Sequence, residues 1–268
     1  MTCDTHVTSR SGDAARVCAE RGREYDVVFS LGGDGTSMEV LGALAYSNIP
    51  VGVLPGGTGN LLSRALGIPS RMKRAVPALL GGTERTIDLG LVHGRHFAVA
   101  AGVGIDAAMV AETKAWMKRH LGVTGYTLVA VRAALRSVLG RKFFTVRIEV
   151  DGQVLERQAT SVVFANFGAI LEDRLSFGPD IRPDDGLLDC CIFAPASLGE
   201  AVRIMWCAMR GIPQSPASVT YAKGARFRVE TLPSLPLQAD GDLVGTTSAE
   251  LIVQQGAARL LLPRQRGQ

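Results

Sequence analysis

Two glycine-rich segments, each directly after a run of apolar residues, are the part of this sequence most suited to chemistry. They read Gly32-Gly33-Asp34-Gly35-Thr36 and Pro55-Gly56-Gly57-Thr58-Gly59-Asn60. Glycine lets backbone amides approach an anion closely, and a helix that follows directs its positive end towards it. One such segment alone is better explained as an ordinary strand-to-helix turn. Two on neighbouring strands predict a shared phosphate cradle.

The glycine segments belong to neither of two common phosphate-binding classes. No Gly-Lys-Ser/Thr follows, as a Walker A loop requires, and no GxGxxG dinucleotide fingerprint is present. Asp34 offers a carboxylate to a magnesium-bound phosphate, directly or through water. Asp240-Gly241-Asp242 brings two further carboxylates late in the chain. Taken alone, this late segment is explained as a solvated turn between strands.

The elements that must position these residues alternate in the first part of the chain. Apolar runs at 26–31 and 51–54 predict buried parallel strands. Helices are expected from Asp13 to about Gly22, from Ser37 to about Tyr46, and after Asn60, with an extended start at residues 5–8. Strand, glycine turn and helix in this order predict a parallel α/β sheet with its ligand at the carboxyl ends of the strands.

After Asp88 the pattern changes to one of frequent strands. Asp151-Gly152 between two such runs is typical of a hairpin. We therefore expect a nucleotide-binding α/β domain at 1–92 and a mostly antiparallel β domain at 93–268, whose C-terminal end could return to the first domain. The strand-like segments are 95–101, 143–150, 153–157, 160–166, 187–193, 226–230 and 250–253, with helical stretches at 107–140 and 198–209.

Composition narrows the class of protein. The net charge of +4 suits a phosphate-rich ligand or an anionic surface, is too small to indicate nucleic acid, and is explained as well by solvated side chains. The five cysteines include no CxxC pair, which argues against a disulfide framework or a zinc site. No signal-peptide pattern or long uncharged apolar run is present. We expect a cytoplasmic protein that touches the inner membrane face peripherally.

Five ordered motifs resemble the diacylglycerol kinase catalytic-domain family, which includes sphingosine and ceramide kinases. The two glycine segments match its nucleotide loops in order and separation. The other three motifs are Asp88 within Thr86-Ile87-Asp88-Leu89-Gly90, Asp184-Asp185-Gly186 directly before a predicted strand, and Asp240-Gly241-Asp242 in place of the family's late Asp-Gly-Glu motif. The resemblance implies a phosphofructokinase-like domain followed by a β-sandwich that binds lipid, with the active site between them.

The resemblance also implies site residues and cofactors, ATP and Mg²⁺. It makes Asp242 the base that activates the attacking hydroxyl, with Asp240 as the fallback and Asp34 opposite them. It assigns a structural magnesium to Asp185 with backbone oxygens of Arg182 and Leu187, although a turn aspartate satisfied by nearby amides explains Asp185 as well. The residues implied in nucleotide binding are Thr8, Gly33, Asp34, Gly35, Thr36, Ser37, Met38, Glu39, Gly57, Thr58, Asn60 and Asp88.

Two departures from the family pattern stand out. Family members carry a first strand with an Asn-Pro-x-Ser-Gly-like loop that this sequence does not show. This predicts either a start codon assigned too late or a variant with weakened ATP binding, and an exposed strand edge that favours aggregation or dimerisation. Asp242 stands where the family commonly has glutamate, and a shift of about an ångström at a catalytic group can cost on the order of 100-fold in rate.

The lipid partner is expected at a membrane surface. Residues 112–142 mix Trp116, Met117 and Tyr126 with lysines and arginines, which suits a helix on an anionic membrane or a core-facing helix with a basic outer side. Three functions remain open on the sequence: a lipid kinase of a diacylglycerol-like or sphingoid-like lipid, a catalytically silent lipid- or nucleotide-binding protein, and an NAD kinase. The last is disfavoured because Asn60 is followed by Leu61 rather than glutamate.

Overall fold

A computed structural model describes residues 2–104, 143–170, 175–178, 180–210 and 218–264. The helix expected at 107–140 and the mixed basic and apolar segment at 112–142 lie outside these residues. Among the described residues, no helix is long and apolar enough to cross a membrane.

The N-terminal part alternates helix and strand around the two glycine segments. In chain order its elements are α1 (Asp13–Arg21), β1 (Val28–Gly32), α2 (Asp34–Ala43), β2 (Val51–Pro55), α3 (Leu61–Ala65) and α4 (Met72–Leu80). Strands β1 and β2 pair in parallel, and their ends, Gly32 and Pro55, lie side by side. Because each strand ends at its glycine segment, the two segments meet at one edge of the sheet.

The α/β fold of the first part is confirmed: β1, β2 and the end of β16 (Ala249–Leu262) run in parallel, and the sheet becomes mixed where β3 (Thr83–Val92) joins it. Strand β16 runs parallel to β2, with Leu260 opposite Val51, and antiparallel to β3. Strand β3 was not predicted from the sequence, because its first four residues are polar and exposed and only its second half is apolar and buried. At 14 residues, β16 reaches from the second part of the fold into the sheet of the first.

The second part is a β-sandwich, as expected. One layer extends the first sheet through β16, β13 (Arg226–Leu232), β6 (Phe144–Val150) and β7 (Gln153–Ala159), with β4 (Arg95–Phe97) paired to β3. The other layer is antiparallel, in the order β12-β11-β8-β5-β14-β15. Its strands are β12 (Val219–Gly224), β11 (Leu188–Phe193), β8 (Ser161–Ala165), β5 (Ala100–Gly104), β14 (Pro236–Ala239) and β15 (Asp242–Thr246).

The sandwich core is made of inward-facing side chains from both layers, as period-two alternation requires. Val146, Ile148, Phe164, Phe227 and Leu237 are fully or almost fully buried there. On the outer face of the antiparallel layer lies a helix, α5 (Leu198–Arg210), close to the predicted span of 198–209. A short hairpin of β9 (Ala169–Ile170) and β10 (Leu175–Ser176) contacts it.

Several boundaries differ from expectation for identifiable reasons. The hairpin at Asp151-Gly152 is confirmed, with both residues at positive φ. Helix α2 begins at Asp34 rather than Ser37, because the glycine segment itself forms the first helical turn. The strand expected at 95–101 is interrupted at Ala98 and Val99, because their amides donate to the carboxylate of Asp240. Residues 5–8 make no described ladder with any strand.

Candidate active site

The two glycine segments pack backbone against backbone. The amide of Gly56 donates to the carbonyl of Gly32 at 2.9 Å. A Cβ on Gly57 would lie 2.6 Å from Cα of Gly33, which is closer than two carbon atoms can approach. Only glycine therefore permits this contact. The first amides of α2, which ordinarily lack partners within a helix, lie beside the exposed Gly56-Gly57-Thr58 backbone.

Asn60 fixes the shape of the second segment. It adopts a left-handed conformation with φ 50° and ψ 44°. Its side-chain oxygen accepts from the amide of Gly57 at 2.8 Å, and its amide nitrogen donates to the carbonyl of the same residue at 2.8 Å. Asparagine tolerates this backbone region better than most residues. The side chain of Asn60, which we expected at the nucleotide, thus holds the loop itself.

Asp34 joins the two segments. One carboxylate oxygen, Oδ1, accepts from the amide of Leu62 at 3.0 Å, where α3 begins. The other oxygen, Oδ2, lies 3.1 Å from the position that a Cβ on Gly59 would take. One oxygen therefore anchors the loops while the other lies against the second glycine segment, where a phosphate-bound cation is expected.

The late acidic motif is a two-residue hairpin that delivers Asp242 to the start of α2. Asp240 and Gly241 occupy the turn at φ 45° and 84°, and Ala239 pairs with Asp242 across it. A Cβ on Gly35 would lie 3.5 Å from Oδ2 of Asp242. The carboxylate thus lies near the first turn of α2, beside the predicted phosphate cradle.

Asp240 is held differently from its neighbour. Its carboxylate accepts from the amides of Ala98 at 2.6 Å, Val99 at 2.9 Å and Ala100 at 3.0 Å. Removal from water raises the pKa of Asp240 to about 6, against the lowering effect of these three amides, and the negative charge of Asp34 raises it further. The three amides bond Asp240 to the backbone and so help to hold the hairpin, and the choice between Asp242 and Asp240 as the base stays a prediction.

The raised pKa of Asp240 predicts a pH dependence of stability. The folded protein holds this proton up to about pH 6, whereas an ordinary aspartate releases it near 3.8. The group's contribution to the free energy of unfolding is therefore complete below pH 3.8 and lost as the pH rises through 6, by on the order of 3 kcal/mol in total. Urea unfolding of the wild type and Asp240→Asn at pH 4.5 and 7 should show this loss in the wild type only. Equal pH slopes in the two proteins would contradict the assignment.

Several residues expected at the nucleotide have side chains that contact other parts of the protein. Ser37 is buried, with its hydroxyl 3.1 Å from that of Ser30, and Met38 packs against the core. Oε1 of Glu39 accepts from the amide of Gly12 at 2.8 Å and from the hydroxyl of Ser11 at 3.1 Å, which holds the start of α1. These side chains have partners within the protein, and nucleotide contacts of Ser37, Met38 and Glu39 stay a prediction. Thr8 is exposed in the N-terminal segment, and its contact with ATP stays a prediction.

Asp88 lies at a junction of three elements. Its carboxylate accepts from the amide of Gly186 at 2.6 Å and from that of Gly256 at 2.7 Å. Gly256 sits at φ 62° where the register of β16 against β3 shifts, so Asp88 satisfies the bulge that separates the two halves of β16. Both oxygens are thereby bonded to backbone, and a nucleotide contact of Asp88 stays a prediction.

Sequence reasoning missed Asn166. This buried side chain donates from Nδ2 to the carbonyls of Asp88 at 2.9 Å and Ala98 at 2.8 Å. It therefore ties the Asp88 strand to the turn whose amides hold Asp240. An asparagine at the end of an apolar run, Ser161 to Ala165, was the available signal, since a polar residue there needs buried partners.

The structural magnesium expected at Asp185 stays a prediction, and in the structure the Asp185 carboxylate has a lysine as its charge partner. The ammonium of Lys223 lies 2.8 Å from Oδ2 of Asp185 and 3.4 Å from Oδ2 of Asp189. Oδ1 of Asp185 accepts from the amide of Leu187 at 3.1 Å, and the guanidinium of Arg182 contacts Asp184 at 3.3 Å. The lysine already supplies the positive charge, as in a turn aspartate satisfied locally. Over the residues that the structure describes, no group of three His, Cys, Asp or Glu side chains could hold a metal.

Comparison with known proteins agrees with this geometry. Residues 1–92 match the family model of the diacylglycerol kinase catalytic domain, and residues 98–262 match that of the YegS C-terminal NAD kinase beta sandwich-like domain. The chain is 30% identical over 272 residues to the diacylglycerol kinase of Bacillus subtilis (strain 168), covering 98% of this chain and 87% of that protein. A solved structure of a candidate diacylglycerol kinase from Bacillus anthracis str. Sterne is 25% identical, with a TM-score of 0.77, covering 96% of this chain and 85% of that one. The chain therefore belongs to the diacylglycerol kinase catalytic-domain family of lipid kinases.

Proposed function

We propose that this protein transfers the γ-phosphate of ATP to a hydroxyl of a diacylglycerol-like lipid. The observation that carries the proposal is that the Asp242 carboxylate lies near the first turn of α2, beside the paired glycine segments. Phosphoryl transfer needs a group that positions the attacking hydroxyl and stabilising groups around the transferred phosphate. This arrangement supplies both at one place.

The nucleotide phosphates would lie on the paired segments. Backbone amides of Gly33 and of the first turn of α2 point out from the positive end of a ten-residue helix, which favours anionic groups. Gly57 and Thr58 are exposed on the facing segment, so their backbone is accessible to the same ligand. These residues, with the Thr36 hydroxyl, are the proposed ATP contacts.

Magnesium fits this site as part of the nucleotide. Mg²⁺ is usually held by one or two carboxylates together with substrate phosphates, and the Oδ2 atom of Asp34 is placed to provide one such ligand. When bound, the ion would offset the charge of the phosphates.

Asp242 is the proposed base for the lipid hydroxyl. A carboxylate within hydrogen-bond reach of the hydroxyl orients it and accepts its proton as the new phosphate ester bond forms. Asp240 cannot readily take this part, because three backbone amides already occupy its oxygens. It holds the hairpin so that Asp242 faces the cradle.

The diacylglycerol-like class is favoured over sphingoid bases or ceramide by the relatives, since the Bacillus subtilis and Staphylococcus aureus (strain bovine RF122 / ET3-1) proteins, each 30% identical to this chain, are both named diacylglycerol kinase. A silent binding protein with the same cradle is the second candidate. It is favoured by one observation: among the described residues, β1 is the edge strand of its sheet, so no further strand lies beside the first glycine segment on that side.

Incubation with γ-labelled ATP, magnesium and a panel of micellar lipids tests the proposal. Diacylglycerol is expected to take up label, and ceramide and sphingosine much less. Unlabelled lipid throughout, together with measurable ATP binding by calorimetry, would overturn the kinase in favour of the silent binding protein.

The glycine contact gives a prediction about ATP. Gly57→Ala places a Cβ 2.6 Å from Cα of Gly33 and should push the two segments apart. We expect kcat/KM for ATP to fall on the order of 100-fold. In the control Gly199→Ala, the new Cβ would meet only Oγ of Ser197 at 3.9 Å, and kinetics should not change. Wild-type kinetics for Gly57→Ala would show that the cradle does not depend on this close approach.

A further inference from the structure

Helix α5 has one side that is clearly part of the core. Ile204 and Cys207 are buried, and Ile204 packs with Cys191 of β11 and Val219 of β12 in a small cluster under the helix. This side fixes the helix on the outer face of the antiparallel layer. The opposite side is therefore directed away from the sheet.

The side directed away from the sheet carries large apolar side chains. Leu198, Val202 and Trp206 are 37%, 60% and 54% exposed, respectively. They recur at every fourth position, so they lie along one face of the 13-residue helix. We call these three residues the exposed stripe. Scattered apolar residues on a surface are ordinary, but an aligned row that includes tryptophan marks an interaction surface.

Positive charge accompanies the exposed stripe. The guanidinium of Arg210 lies over the ring of Trp206, 4.3 Å from its centroid. Arg203 is half-exposed one position after Val202. The acid of the helix, Glu200, is engaged: it accepts from the Ser218 hydroxyl and from the amide of Ala196 at 2.7 Å, and lies 3.9 Å from Arg203. The arginines therefore dominate the charge next to the stripe.

We propose that the exposed stripe of α5 docks the protein on an anionic lipid surface. Tryptophan and arginine with aliphatic neighbours on one helix face are the chemistry of interfacial helices, whose apolar side enters the headgroup boundary while cations meet anionic lipid. A second copy of the chain fits less well, because a two-fold contact through this narrow stripe would bring the arginines of both copies together and bury little area.

The position of α5 in the fold suits a helix that docks on a membrane. The helix lies on β11 and β12, and the hairpin that carries Asp242 begins at β14 of the same layer. From β11 to β14 is three strand spacings, on the order of 15 Å. A membrane held at α5 would thus be near the site where a lipid hydroxyl is needed. The inference deepens the proposed function and rests on it for this last step only.

Trp206 provides its own probe. With Trp116→Phe as background, Trp206 is the one indole in the chain, since the sequence has two tryptophans. Its emission should shift to the blue with vesicles of phosphatidylcholine plus phosphatidylglycerol, and much less with phosphatidylcholine alone. The shift should weaken with added salt, because surface charge attraction is screened.

A matched pair of variants tests the surface. Val202→Asp should lower the partition coefficient for anionic vesicles about tenfold or more, whereas Val154→Asp, on β7 with 51% exposure, should leave it unchanged. Equal binding of the two variants would overturn the proposal. So would loss of a dimer by Val202→Asp, in light scattering, without loss of vesicle binding, because the partner would then be a second copy. Vesicle binding requires no turnover, so it is decided independently of the kinase assay.

Discussion

Replacement of Asp34 by asparagine is expected to abolish lipid phosphorylation while the protein stays folded. The amide oxygen of asparagine can still accept from the amide of Leu62, so the link between the two glycine segments is kept. The negative charge facing the nucleotide is lost, and loss of one electrostatic contribution of this kind lowers kcat on the order of 100-fold to 1,000-fold. Labelled lipid product and thermal unfolding, measured on the same preparation, check both halves of the prediction.

The hairpin residue Asp151 offers a control for this change. Asp151→Asn alters an exposed turn aspartate on the β6–β7 hairpin and should affect neither rate nor melting temperature. A fully active Asp34→Asn variant would remove Asp34 from the magnesium–phosphate site. A large drop in melting temperature would instead show that the carboxylate charge supports the fold.

Asp242→Asn is expected to lower kcat by about 100-fold to 10,000-fold, the usual contribution of general base catalysis, while KM for ATP changes by less than about threefold. The reason is that the Asp242 carboxylate lies against Gly35 at the start of α2, where it can meet the acceptor without holding the nucleotide. Steady-state kinetics with ATP and lipid varied separately measure the two effects.

Asp242→Glu distinguishes a base from a structural residue. Glutamate keeps the carboxylate but moves it by about an ångström, so this variant should lose on the order of 100-fold or less in rate and stay more active than Asp242→Asn. If asparagine at this position weakens ATP affinity selectively and leaves kcat intact, Asp242 belongs to the nucleotide side of the site and the base must be sought elsewhere.

The sequence was informative about the cradle because its signals are local. Glycines after an apolar run report on a strand end and a close backbone approach within a few residues, and the Gly33–Gly57 contact follows from two such loops on neighbouring parallel strands. The Asp-Gly pairs at 151–152 and 240–241 are local for the same reason, since a two-residue turn requires positive φ at both positions.

The roles of Glu39, Asp88 and Asn166 could not be predicted, because their partners are distant in sequence. Glu39 bonds to the Gly12 turn, Asp88 to a bulge in β16, and Asn166 to the carbonyl of Ala98. The burial of Ser37 and the packing of Met38 against the core were not predicted either, because a motif match does not reveal which side of a helix faces the core. At Asp185, Lys223 arrives from β12, so the sequence around the aspartate gave no sign of the ion pair.

The central claim is that Asp242 activates a lipid hydroxyl for attack on ATP held by the glycine segments. A single-turnover experiment with magnesium, excess diacylglycerol, and enzyme in excess over labelled ATP, run on wild type and Asp242→Asn, tests it most directly. The account predicts a rapid appearance of labelled phosphatidic acid with the wild type, and equal ATP binding but almost no product with the variant. Product formation at the same rate in both proteins would contradict it.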